Sequence, residues 1–150
     1  MSALFAFLHH VAAFGLVAAL ATELVLLGGE ITLATARRLQ RADMALGITA
    51  GVLLVVGFAR VLYFEKGPSY YFHSGPFIAK FAIFIAVGLL SIFPTLVFLS
   101  WRTATREGRA PAIDAAQIRM VRRVVHAELA AVILIVLFAA LMARGIGQLG

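Results

Sequence analysis

Four long apolar runs, separated by short polar stretches, fill most of this 150-residue chain. Crossing a hydrocarbon core takes about 20 residues at about 1.5 Å rise each. The runs from about Ala3 to Gly28, Asp43 to Phe64 and Pro76 to Trp101 all reach that length. A fourth opens as a polar stretch after Pro111 and becomes wholly apolar from about Val124 to Met142. Gly28-Gly29 and Gly67-Pro68 break the helical pattern, and Pro76 and Pro111 suit first-turn positions. Pro94 falls inside the third run and is expected to kink it locally. The pattern predicts an all-α fold, an antiparallel four-helix integral-membrane bundle. Residues 1–150 form one domain, with spans at about 3–28, 43–64, 76–101 and 112–145.

Composition strengthens this reading. The chain is 63% hydrophobic and 13% charged, with a mean hydropathy of +1.01, whereas soluble domains average about 45–50% apolar and about 25% charged. There is no cysteine, which excludes disulfides, thiolate metal sites and cysteine nucleophiles. No cationic stretch precedes the first apolar run, and that run exceeds a signal-peptide core, so it is expected to be a retained span.

Charge then orients the bundle. The net charge of +6 would suit a nucleic-acid binder, but the cations gather between apolar runs, which is how membrane topology is encoded. No nucleic-acid partner is expected. Arg37, Arg38 and Arg41 follow the first span, and Arg102, Arg106, Arg109, Arg119, Arg122 and Arg123 follow the third. The other side has Arg60, Lys66, Lys80 and Arg144, a split of nine against four. The positive-inside rule places the basic loops in the cytoplasm and both termini outside. Trp101 marks the cytoplasmic interface, and Tyr63, Tyr70 and Tyr71 mark the outer one.

Candidate chemistry lies in the ionisable residues within the spans, which are costly there and tend to face a bundle interior or a cofactor. His9 and His10 lie about 10 Å below the outer end of the first helix at helical rise. Arg60 is near the outer end of the second helix and Lys80 is one turn into the third, so all reach a similar depth. His126, beside Glu128, lies about 15 Å or more away toward the other face. His9 and His10 point about 100° apart. His9 shares a stripe with Leu16, Glu23 and Glu30, and His10 shares one with Phe14, Val17 and Leu24.

Either histidine suits an axial haem ligand, because imidazole binds iron without carrying charge. The plainer alternative is a helix-end histidine hydrogen-bonded at the interface. Arg60 and Lys80 suit haem propionates or proton supply; alternatively, both snorkel to headgroups. His73 ends an aromatic loop, Glu65 to His73, that either caps a pocket or forms an interfacial belt. At the basic end, Glu23, Asp43, His126 and Glu128 meet many arginines. Ion pairs with Arg41 or Arg122 are the structural expectation, with a second haem on His126 or a proton path through Glu23 and Glu128 as functional alternatives. No HExxH spacing, phosphate-cradling glycine loop or nucleophile elbow occurs.

The run Arg37-Arg38-Leu39-Gln40-Arg41-Ala42, the run Gly75-Pro76-Phe77-Ile78-Ala79-Lys80-Phe81-Ala82, the early histidine and Glu128 together resemble HemJ-type protoporphyrinogen oxidases and CopD-like membrane proteins. Lys66-Gly67, Tyr70-Tyr71 and Ser91-Ile92-Phe93-Pro94-Thr95 are similar to hallmarks of small four-helix bacterial membrane proteins without an assigned function. The HemJ resemblance implies b-type haem on His10 or His9 with Lys80 needed near it. His126 and the 66–73 loop depart from that pattern and leave room for a second haem.

The expectation is therefore a membrane redox protein binding one or two haem b groups, with His9, His10 and His126 as candidate metal ligands. Arg60, His73 and Lys80 complete the cofactor site, and Lys80 and Arg60 are the candidate catalytic groups of a haem-dependent oxidoreductase. Its partners are the lipid bilayer, a second copy in a homodimer and a quinone, porphyrin or other redox molecule. Small residues (Ala12, Ala13, Gly15, Ala19, Gly47, Gly51) support close helix packing. A small proton-coupled transporter exchanging protons at Glu23, or a structural membrane subunit, is the alternative.

Overall fold

Helix α1 covers Ser2–Leu26, α2 Leu33–Ala59, α3 Gly75–Ser100 and α4 Ala115–Ala143 in a computed structural model that describes residues 2–64 and 73–147. All four are long and apolar enough to cross a membrane, which makes the molecule a four-span membrane bundle. A short helix, Arg102–Arg106, links α3 to α4. Helix α1 packs most extensively on α2, and α3 on α4, while α1–α4 and α2–α3 contacts close the ring. The antiparallel register shows where the ends meet. The Gly75 amide, opening α3, donates to the carbonyl of Gly147 just beyond α4 at 3.1 Å. Gly147 has φ +81° and Pro76 against its Cα, so a side chain there would be strained and would collide.

Local signals explain the boundaries. Helix α2 starts at Leu33, well before the expected Asp43, because the Thr32 hydroxyl caps it by accepting from the Thr35 amide at 3.2 Å. The Leu-Ala-Thr-Ala-Arg-Arg stretch that follows is rich in good helix formers. Arg37, Arg38 and Arg41 therefore lie on a helix rather than in a loop. Pro76 takes a first-turn position in α3 as expected. Pro111 does not do so in α4: Asp114 is the cap, accepting from the Ala116 amide at 2.8 Å, and Pro111 is buried in the extended lead-in. Helix α3 runs on through Pro94, which is buried. At its far end α2 widens into a π turn over Arg60–Phe64.

The core is concentrated at the basic end, the end carrying the arginine-rich connections. Leu20, Ala36, Leu39, Phe98, Val121 and Val125 are all but sealed there, and Trp101 packs on Phe98 with ring centroids 5.3 Å apart. Trp101 thus faces the bundle rather than the headgroups. Gly15 lets α1 and α2 approach closely, since a Cβ there would lie 2.9 Å from Thr49 Cγ2. Ala12 and Ala19 are buried on the same helix, whereas Gly47 and Gly51 face away with open space beside them. Toward the opposite end a second, smaller cluster joins Val61 and Phe77, with Met142 packed against them. The large apolar side chains left outside, such as Phe7, Phe14, Val25, Leu89 and Ile133, form the surface a bilayer would cover.

Candidate functional site

Polar groups interrupt the apolar interior at two depths. At the histidine end, α1 divides its adjacent histidines between two faces, as the 100° turn per residue requires. His9 points inward on the stripe of Leu16 and Glu23, both of which are buried. Its Nδ1 is enclosed and without a hydrogen-bond partner. The imidazole lies across from Gly57 of α2: a Cβ there would sit 3.8 Å from His9 Cε1. Arg60, Lys80 and His10 are all near enough to act on His9 electrostatically. The structure thus brings together the residues that share a depth in the sequence. Arg60 enters from the π turn, a helix defect that recurs at functional sites. Lys80 comes from the second turn of α3, its Nζ over the Phe77 ring at 5.1 Å. Phe77 stacks parallel to Phe81, and Phe81 meets Phe58 edge to face.

His10 differs in kind. It lies on the exposed face of α1 between Phe7 and Phe14. Its Nδ1 is 2.6 Å from the carbonyl oxygen of Ala6 one turn back. A ring nitrogen so close to a carbonyl must carry the proton, which leaves the lone pair of a neutral imidazole on Nε2, directed away from the backbone. His126 repeats this arrangement on α4, with Nδ1 2.7 Å from the Arg122 carbonyl and the ring exposed. His73 is exposed just before α3. The rest of its loop, with Lys66, Tyr70 and Tyr71, lies outside the described residues.

At the basic end, the carboxylates do not pair with arginines. Arg41 and Arg122 are exposed, and among the described residues no ion pair reaches Glu23, Asp43 or Glu128. Guanidinium groups near a helix end reach water along their own stems. The carboxyl groups point inward, where α3 supplies hydroxyl donors. Ser91 Oγ donates to Glu128 Oε1 at 2.5 Å, and Thr95 Oγ1 donates to Asp43 Oδ1 at 2.6 Å. Glu23 and Glu128 are wholly enclosed, and Asp43 is half-buried. Both carboxyl oxygens of Glu23, and Oε2 of Glu128, have no hydrogen-bond partner. Sequence reasoning missed Ser91 and Thr95 as partners. They stand four residues apart on one face of an otherwise apolar helix, which marks them as inward-facing.

Among the described residues, no three His, Asp or Glu side chains are grouped so as to hold a metal ion. At His10 and His126 alike, a backbone carbonyl one turn back engages Nδ1 and leaves Nε2 directed outward.

These features define a small four-span membrane protein with a cationic, histidine-bearing site near one face and an enclosed acidic site toward the other. The chain belongs to the family described as predicted membrane protein (DUF2214), whose model matches residues 1–147. Neither the curated proteins nor the solved structures contain a significant match.

Proposed function

We propose that this protein is a haem b-binding redox protein of the bacterial inner membrane, with His10 as the axial ligand. One observation carries the reading. His10 directs Nε2 outward from an exposed apolar stripe, with Nδ1 2.6 Å from the Ala6 carbonyl. A polar acceptor at that depth is costly against lipid and calls for something to cover it. Between the two adjacent histidines this favours His10 over His9, whose Nδ1 is enclosed inside the bundle.

Haem would supply one-electron chemistry, and the chain would supply ligation, burial and charge. Arg60 and Lys80, at the same depth, are the cations suited to propionates: Arg offers a planar fork and Lys a point charge. His9, near enough to feel both cations, can pass a proton without bearing a permanent charge. His126 has the same Nδ1-locked geometry and suits a second haem toward the basic face. Because both imidazoles face outward, a ring ligated there would sit against a second surface, which a homodimer would provide. A reaction of the protoporphyrinogen-oxidase type and a quinone or porphyrin partner remain within this reading.

Detergent-purified protein reconstituted with haem should show a sharp Soret band and a b-type pyridine haemochrome. His10→Ala should abolish both, while His9→Ala should retain the band. A colourless protein after reconstitution would overturn the proposal. The basic connections belong in the cytoplasm under this reading. The chain has no cysteine, so single cysteines placed at Gly29 and Glu107 should react with impermeant thiol reagents only after cells are opened. Labelling of intact cells at both positions would reverse the orientation.

A further inference from the structure

Glu23, Asp43 and Glu128 come from three different helices, yet they are close enough for Asp43 and Glu128 to act electrostatically on Glu23. The remaining helix, α3, has no ionisable residue at this level; its Lys80 is at the other end. It contributes the hydroxyls of Ser91 and Thr95. The charged and titratable neighbours on α2 (Arg37, Arg38, Arg41) and on α4 (Arg122, Arg123, His126) are all exposed. No cation among the described residues is therefore paired with the three carboxyl groups.

An enclosed carboxylate without a counter-ion is among the most costly groups a membrane interior can hold, and close neighbours of like charge add to the cost. Two occupants could relieve it, a metal cation or protons. The donor geometry favours protons, because among the described residues no three His, Asp or Glu side chains are grouped so as to hold a metal ion. The two hydroxyl bonds satisfy one oxygen each on Asp43 and Glu128, leaving both oxygens of Glu23 and one of Glu128 unpartnered. Protons need no coordination shell and are bound one at a time by coupled carboxyl groups.

We propose that Glu23, Asp43 and Glu128 form a proton-exchange site enclosed within the bundle, loaded from the basic face. The loading edge is visible on α2, where Arg37, Gln40 and Asp43 follow at three-residue intervals on one face. Arg37 Nη2 donates to the Thr105 carbonyl at 2.8 Å and Gln40 Nε2 to the Phe98 carbonyl at 2.9 Å. The Thr105 hydroxyl donates to Gln40 Oε1 at 3.3 Å. This polar edge leads from an exposed guanidinium to the Asp43–Thr95 pair. Glu23 is about 20 Å from His10 at helical rise, so the site stands apart from the proposed haem ligand.

Infrared difference spectroscopy of the full chain in liposomes tests the proposal directly. Near neutral pH the protein should show a protonated-carboxyl C=O band that shifts in heavy water, disappears on alkaline titration and loses one component in Glu23→Gln. Labelling glutamate with carbon-13 at the side-chain carboxyl should shift the Glu23 and Glu128 components in the unmutated protein, so the test survives a Glu23→Gln variant that fails to fold. Absence of any protonated band near neutral pH would overturn the proposal. So would a band removed by sodium, magnesium or calcium at constant pH, which would make the site a cation site. The haem Soret band should be unchanged in a folded Glu23→Gln protein, so failure of one proposal leaves the other standing.

Discussion

The two ends of this bundle are built on opposite terms. At the basic end, Phe98, Trp101, Leu20, Leu39, Val121 and Val125 interlock, and the acidic groups among them are sealed with hydroxyl donors from α3. At the histidine end, the described core is little more than Val61, Phe77 and Met142. Its described histidines, Arg60 and Lys80 stand half-buried or exposed, while Ser74 is fully buried and its hydroxyl, like His9 Nδ1, has no hydrogen-bond partner. Helix association in a membrane depends on van der Waals fit and interhelical hydrogen bonds rather than on escape from water. Among the described residues, the basic end has both in quantity.

The sharpest way to break this contrast is to cut the core at each end. Phe98 is about 1% exposed, and Phe98→Ala should destabilise the bundle by about 3 kcal/mol, at the lower end of the usual range because a lipid-solvated unfolded state rewards burial less. Phe77→Ala should cost distinctly less, since Met142 and Val61 can close around the gap. Unfolding equilibria in mixed micelles or bicelles would measure both. Equal costs would mean that the histidine end is as firmly packed as the basic one.

A smaller effect separates the polar groups. Ser91→Ala leaves the enclosed Glu128 without its hydroxyl donor and should cost about 1–3 kcal/mol. The double variant Ser91→Ala with Glu128→Leu should recover much of that loss, because removing both partners leaves no orphaned acceptor. If the double variant is no better than the single one, the Ser91–Glu128 bond is not what makes the position sensitive. Next in size is the Asp114 cap of α4: Asp114→Ala should cost about 1 kcal/mol, read in the same unfolding assay.

Much of this architecture was legible along the chain. Four spans followed from length and apolarity alone, and the 100° step set His9 on the stripe of Leu16, Glu23 and Glu30, of which Leu16 and Glu23 are buried while Glu30 is exposed; which of the two histidines turns inward was not legible. Depth counting placed His9, His10, Arg60 and Lys80 at one level, because helical rise converts sequence position into height once the topology alternates; it could not show that His10 lies on the exposed face of α1. The fate of the carboxyl groups was not legible in the same way. Arginines are near Glu23, Asp43 and Glu128 in sequence and in height, but height says nothing about azimuth. The partners that won, Ser91 and Thr95, sit on a helix whose rotation is set by packing against α2 and α4. The early start of α2 was hidden for a different reason: arginines that read as a loop by charge are good helix formers once Thr32 caps them.

The smallest effect on stability is the one that separates the two ends most cleanly. His10 is exposed on α1; its ring meets His9 edge to face with centroids 6.1 Å apart, and its hydrogen bond among the described residues is to the carbonyl of its own helix one turn back. Replacing it with phenylalanine removes that contact but adds an apolar ring to a face that already displays Phe7 and Phe14. The unfolding free energy of the haem-free protein should therefore change by no more than about 0.5 kcal/mol. The same substitution should eliminate the Soret band. A function lost at nearly constant stability would locate His10 in a binding surface rather than in the scaffold. A His10→Phe protein that unfolds much more easily would instead mean that this exposed imidazole contributes to the packing of the helices, and the contrast between the ends would fail at its weakest point.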